Sequence, residues 1–425
     1  MRGPHCCLFE LRACEEALRG EICAPEPELG PSKRGALRVL IVWPGDRWTL
    51  GEIRLGIPLA VWAKEYEGEI RARPFARLEA CDVAWAQVVV LQREATFDLL
   101  HRMLCWREAG KAVIFDMDDL LTAVPDFLLS SAHYTRSRPL IEAALRRANL
   151  VTTTTSRLAA ELPRDTASIA VIPNCTAVRN LSRGTGAPTR EPVCLIFAAS
   201  DTVRVEFLAA ALRQFQRENP GEAVMLAVGP SGEALRAAGV HLEHFSIMSN
   251  PEFHDFVAAR GDAVGIIPLD DSRFSSCKSA VKFLDYASHG LPTICSRVPP
   301  YSDFVTDEVD GILVDNDAQL WSQQIRRLVK DAALRERLGS AAMALAQRSS
   351  TPEIAAQLWN SALQQAVRHA AENPARPEPA HRRLLARIEH LLRLGLDRSV
   401  LEHALQILAR EGPLGLWERV VRTSR

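Results

Sequence analysis

Short apolar runs, four to six residues long, recur along the chain with amphipathic stretches between them. The first, Arg38-Val39-Leu40-Ile41-Val42-Trp43, stops at Pro44-Gly45 and predicts a buried strand with its exit turn. A helix-like stretch follows around Ile57–Lys64. The rhythm then predicts strands at Val88–Leu91, Ala112–Phe115, Leu150–Thr154 and Ile169–Ile172. Helices are predicted at Phe97–Ala109, stopped by Gly110, at Leu140–Arg147, and at Arg157–Leu162, where Ser156 can cap the start. Residues 177–192 are rich in Arg, Gly, Thr and Pro and lack an apolar period, as a linker does.

Beyond the linker the alternation restarts. Strands are predicted at Val193–Phe197, Ala223–Val228, Ala263–Ile267, Pro292–Cys295 and Gly311–Val314. Between and after them come helices at Val205–Gln214, Pro251–Ala259, Ala280–His289, Ala318–Lys330 and on to Gln347. Continuously apolar strands alternating with helices indicate parallel sheets covered on both faces. The expected fold class is therefore α/β: two tandem Rossmann-like domains, residues 37–176 and 193–370, with a central cleft at the carboxyl ends of their strands.

The two ends differ from this body. Residues 1–36 form an irregular extension closed by the Pro/Gly-rich segment 24–32. After a Pro-rich stretch at 373–379, residues 376–425 read as an amphipathic helical tail. Leu384, Leu385, Ile388, Leu391 and Leu392 make its stripe, with Arg382, Arg383, Arg387 and Arg393 around it. Such a tail suits the anionic face of a membrane, a protein partner, or simple packing on the body.

Composition narrows the function. The 425 residues carry 51 basic and 52 acidic side chains, a net charge of -1, which argues against a nucleic-acid binder working through bulk charge. No apolar run reaches the roughly 20 residues of a membrane span, and the first residues lack the core of a secretion signal. A cytoplasmic place is expected, with peripheral attachment at the inner face of the membrane as the tail's contribution. The ten cysteines include no C-x-x-C pair and read as reduced thiols. His5, Cys6, Cys7, Cys14 and Cys23 match no standard zinc spacing.

Candidate chemistry concentrates in the segment 270–296. A strand ends, a polar loop follows, and a helix is expected from about Ser279, whose free amides and dipole favour an anion such as a phosphate. Lys278 and Lys282 are four apart and share a face near that start, where cations make sense beside a bound anion. Asp285, a turn further, can accept hydrogen bonds from vicinal sugar hydroxyls. Taken singly, each residue also reads as ordinary surface charge. Asp118 and Asp119 follow a strand and should face the cleft, there to orient or deprotonate a hydroxyl, or else to cap the next helix.

The segment Asp285-Tyr286-Ala287-Ser288-His289-Gly290-Leu291-Pro292-Thr293-Ile294-Cys295-Ser296, followed by Asp310-Gly311-Ile312-Leu313-Val314, resembles the donor-binding motif of GT-B-fold glycosyltransferases. The likeness is to the retaining group-1 (family four) class. Val151–Ser156 with Ile172-Pro173-Asn174 is similar to that family's strand–Ser–helix and hinge. Gln92-Arg93 and Phe115-Asp116-Met117-Asp118-Asp119-Leu120 are similar to a subgroup associated with O-antigen-like polysaccharide assembly. The resemblance implies transfer of a sugar, with retention, from a nucleotide-diphosphate sugar to a glycan or lipid-linked glycan hydroxyl. It implies no cofactor, no metal and no nucleic-acid partner.

The resemblance further implies that Lys278, Ser279 and Lys282, with Arg204 as a further cation, hold the diphosphate, and that Asp285 contacts the ribose. Gly229 with Pro230, and Phe245-Ser246-Ile247, fall where the nucleobase is held. Cys277 departs from the pattern, standing where the family keeps an acidic contact to the sugar; Asp270, Asp271 or the 274–276 backbone are the candidate substitutes. Arg54 is expected to reach donor phosphate or an anionic acceptor, and His133 the donor sugar. Two other readings stay open: a sugar-nucleotide epimerase or hydrolase of the same fold, and a non-catalytic glycosyltransferase-like binding or scaffold protein.

Overall fold

The computed structural model describes residues 35–43, 51–93, 95–128, 130–177, 192–201, 203–204 and 206–375. The extension, most of the linker and the amphipathic tail therefore lie outside the described residues.

The first six-stranded sheet comprises β1 (Arg38–Trp43), β2 (Glu69–Pro74), β3 (Val88–Gln92), β4 (Ala112–Met117), β5 (Leu150–Thr153) and β6 (Ile169–Val171), in the order β2-β1-β3-β4-β5-β6. A second holds β7 (Val193–Ala198), β8 (Ala223–Val228), β9 (Glu243–Phe245), β10 (Ala263–Ile267), β11 (Thr293–Ser296) and β12 (Ile312–Val314), in the order β12-β11-β10-β7-β8-β9. Every pairing in both sheets is parallel. The two Rossmann-like lobes expected from the apolar rhythm are present.

Period-two alternation splits each sheet between two cores. Leu40, Val42, Val89, Leu91 and Phe115 face one side of the first sheet. Val39, Ile41, Val88, Val90 and Ile114 face the other. The second sheet divides in the same way, with Leu195 and Phe197 on one side and Ile196 and Leu226 on the other.

Several elements depart from the expectations, and four of them bear on the architecture. Edge strand β2 alternates charge with small apolar residues and is only partly buried, so it lacks the continuous apolar signal of a covered strand. Edge strand β9 has three residues. The helix expected from Leu140 begins at Ser131 and carries Pro139 inside it. A helix of 21 residues spans Pro352–Glu372. Its Ala356, Trp359, Leu363 and Ala366 share a core with Trp62, Ile114 and Leu150 of the first lobe, the helix lying against the Ile57–Glu65 helix and against β4 and β5. Trp62 Nε1 donates to Asn360 Oδ1 at 3.1 Å. Although all but its last two residues lie within 193–370, this segment thus belongs physically to the first lobe's core.

Candidate functional site

The carboxyl ends of both sheets face a cavity of about 470 Å³. The exits of β4 and β3 supply Asp118, Asp119 and Arg93 to its first wall. The loop after β10 and the Val281–Ala287 helix supply Lys278, Ser279, Lys282 and Asp285 to the second. Loops after β7 and β9 add Ser200, Asp201, Ile247 and Met248.

Charge in the cavity is paired across and within the walls. Lys278 Nζ lies 3.1 Å from Asp119 Oδ1 of the other lobe and 4.6 Å from the Phe274 ring centroid. Lys282 Nζ lies 3.1 Å from Asp285 Oδ2 and 4.8 Å from the Phe253 ring centroid. Asp285 is 4% exposed, with His254 Nε2 at 4.0 Å, and His254 Nδ1 stands 2.8 Å from His289 Nε2. Arg93 spans two carboxylates, with Nε 3.0 Å from Asp118 Oδ1 and Nη2 3.1 Å from Asp119 Oδ2. Burial disfavours the Arg93 charge, but Asp118 and Asp119 outweigh it and hold the guanidinium above its ordinary pKa. Burial pushes the Asp118 carboxyl above its ordinary value, and Arg93 pulls against that.

The lobes are stitched together around this cavity. Asn174 Nδ2 donates to Ser279 Oγ at 2.8 Å, and Ser130 Oγ donates to Asp201 Oδ2 at 3.2 Å. Thr155 Oγ1 donates to the Cys277 carbonyl at 3.1 Å. Arg157 pairs with Asp303, and Arg273 with Glu161. Phe274 and Cys277, from the second lobe, sit inside a first-lobe core cluster with Leu120, Leu121 and Leu158.

Seven of the residues expected at the site line the cavity together: Asp118, Asp119, Ile247, Lys278, Ser279, Lys282 and Asp285, and Phe274 of the 274–276 stretch lines it too. The helix expected from Ser279 starts at Val281, runs for 7 residues, and has no side-chain cap at Ala280.

The remaining expected residues are placed elsewhere. Arg54 is 2% exposed and buried behind the cavity. Its Nη2 lies 2.8 Å from Asp116 Oδ1, it donates to the carbonyls of Ile172 and Thr153, and its guanidinium stands 5.6 Å from the Trp359 ring. A cation so enclosed ties β4, β5 and the last helix together and has no reach to a phosphate. Cys277 is 1% exposed and wedged between the lobes, so the position of the family's sugar-contacting acid does not face the cavity here. Asp270 is not among the residues lining the cavity, and its oxygens accept from the Ser272 amide and Ser275 Oγ.

His133 is exposed on the Ser131–Arg147 helix with its ring edge-on to Tyr134, and it is Tyr134 that lines the cavity. Arg204 is exposed and stacks its guanidinium 4.8 Å from the Phe127 ring of the first lobe. Gly229 has φ of 94°, and a Cβ there would meet the Ala199 carbonyl at 1.9 Å. It lets β8's exit pass tightly under the β7 loop, and its neighbour Val228 lines the cavity.

Arg93, Tyr134 and Asn174 line the cavity without having been singled out as site residues. Arg93 and Asn174 stand two positions after predicted strands, a position that marks cleft residues in open parallel sheets. No comparable pattern signalled Tyr134. Among the described residues no cluster of His, Cys, Asp and Glu is placed to hold a metal ion, and no helix is long and apolar enough to cross a membrane.

Comparison with known proteins agrees with this architecture. Residues 191–331 match the family described as glycosyl transferases group 1. No curated protein matches the chain. HepE of Anabaena, solved in complex with UDP and glucose, is 13% identical with a TM-score of 0.54, over 77% of this chain and 99% of that one. Sucrose-phosphate synthase from Thermosynechococcus elongatus is 14% identical with a TM-score of 0.56, over 77% of this chain and 98% of that one. A glycosyltransferase from Rickettsia africae is 10% identical with a TM-score of 0.53, over 78% of this chain and 99% of that one. At such identities the likeness speaks for the fold, and the matched residues speak for the second lobe. The chain has the GT-B fold, and its residues 191–331 match the group 1 glycosyltransferases.

Proposed function

We propose that this chain is a retaining, metal-independent glycosyltransferase that moves a sugar from a nucleotide-diphosphate donor to a hydroxyl of a glycan or lipid-linked glycan. The carrying observation is that Lys278, Lys282 and Asp285 line one wall of a single cavity while Asp118 and Asp119 line the other. Asp285 accepts from the ribose hydroxyls. The two ammonium groups and Ser279 meet the diphosphate, whose charge grows as the bond from the anomeric carbon to phosphate oxygen breaks; fixed cations in a closed cleft stabilise that charge. Asp118 orients the acceptor hydroxyl and takes its proton as the new bond from oxygen to the anomeric carbon forms. Enclosure between the lobes aligns the partners and excludes water. The work is cytoplasmic in this reading, with the tail at the inner face of the membrane.

The relatives' contents support the donor class: HepE was solved with UDP and glucose. A panel of nucleotide sugars tests it, first by the melting shift that ligand binding to the folded state produces, then by transfer. Lys278→Ala or Asp285→Ala should abolish both; activity surviving both changes would remove the site. One observation favours a second reading. With Cys277 turned into the lobe junction, the family's acidic sugar contact is missing. A non-catalytic binder would show the melting shift without turnover.

A further inference from the structure

Arg93 stands at the carboxyl end of β3 with φ of 60°, a left-handed conformation that residues with a side chain rarely hold. Its amide donates to the Asp116 carbonyl at 2.8 Å, which ties it to the exit of β4. There the guanidinium reaches Asp118 at 3.0 Å and Asp119 at 3.1 Å. The pair with Asp118 is close but poorly aligned: among the described residues neither Arg93 Nε nor Asp118 Oδ1 has a hydrogen-bond partner. Buried polar atoms seldom stay so, and Asp118 belongs to the cavity wall while only 8% exposed. An incoming hydroxyl is a donor that would satisfy that oxygen.

We propose that Arg93 is a positioning residue that keeps Asp118 a carboxylate in its buried place and holds Oδ1 for the acceptor hydroxyl. This inference rests on the reading of Asp118 given above. The surrounding charges leave Arg93 as Asp118's own counter-ion. Asp116 is neutralised by Arg54, and Asp119 is shared between Lys278 and Arg93. Tyr134 acts on Arg93, adding to the pull that keeps the guanidinium charged. Burial, Asp119 and Asp116 all raise the proton affinity of Asp118, and Arg93 and, more weakly, Arg54 oppose them.

The test is the pH profile of transfer by the full chain, with the UDP-induced melting shift as the check on folding and donor binding. In the wild type, transfer should fall on the acid side as Asp118 gains its proton. Arg93→Met should move that acid limb up by about one pH unit or more, while the melting shift persists. Arg93→Lys should restore the limb to near its wild-type position at reduced kcat, because an ammonium cannot fork over two carboxylates. Asp118→Asn should remove the limb with most of the transfer. If Arg93→Met fails to fold, Arg93→Gln replaces it with the same expectation. An unmoved limb with kcat lowered equally at every pH would overturn the inference, leaving Arg93 a structural residue. A wild type that binds UDP but transfers no sugar at any pH would sink the reading of the cleft, and this inference with it.

Discussion

Lys278 Nζ sits 3.1 Å from Asp119 Oδ1, so a cation read as a ligand for donor phosphate is held by a carboxylate of the opposite lobe. A diphosphate must take Lys278 away from Asp119. Asp119→Asn should therefore tighten UDP binding by about fivefold, the worth of a partly exposed ion pair near 1 kcal/mol, while transfer falls. Calorimetric titration checks this, and the gain should shrink in high salt. Weaker UDP binding in the variant would show that Asp119 assists the donor instead.

Cys277→Glu restores the family's acidic residue in sequence but not in space. The side chain would enter the lobe junction beside Phe274, Leu120 and Leu158. A carboxyl group there would compete for Arg157 and Arg273, which already pair with Asp303 and Glu161, so it should cost several kcal/mol and add no sugar contact. The urea midpoint should fall, with transfer at or below wild type. Cys277→Ala should cost far less.

Arg54→Met removes one partner of a buried pair and strands Asp116. A loss of about 3–5 kcal/mol is expected by urea denaturation. Arg54→Met combined with Asp116→Leu should recover much of it, since two apolar groups leave no charge behind. UDP binding per folded molecule should be unchanged in either variant.

Burial pushes the thiols of Cys175 and Cys295 from 9.0 up to about 12. Their folded pKa values are raised, so the stability gained by keeping them neutral is complete below pH 9 and is lost as pH rises toward 12. Cys175→Ala combined with Cys295→Ala should flatten the fall of urea stability across that window. In the native wild type at pH 8, both thiols should resist alkylation while the half-exposed Cys81 reacts.

Most strands were legible because a strand covered on both faces is apolar throughout, as in β3, whose five residues are all buried. The edge strand β2 was not, because Arg71 and Arg73 interrupt its pattern as they reach for Asp82. Lys278, Lys282 and Asp285 were legible from their place after a strand and in a short motif. Arg54 follows a strand too, but its fate turns on Asp116, 62 residues away, and on Trp359 in the last helix. Cys277 likewise fills a gap that exists only once both lobes are assembled. Such long-range partners leave no local mark on a chain.

The return of the Pro352–Glu372 helix to the first lobe makes the molecule an interlaced whole. Just ahead of the linker, the Thr176 amide donates to the Ser350 carbonyl at 2.8 Å, next to where this helix begins. A fragment ending at 177 would leave Trp62, Ile114 and Leu150 without the cover this helix gives them. Neither lobe can be excised by a single cut in the linker, and a soluble N-terminal fragment would need residues 352–372 supplied as a peptide in trans.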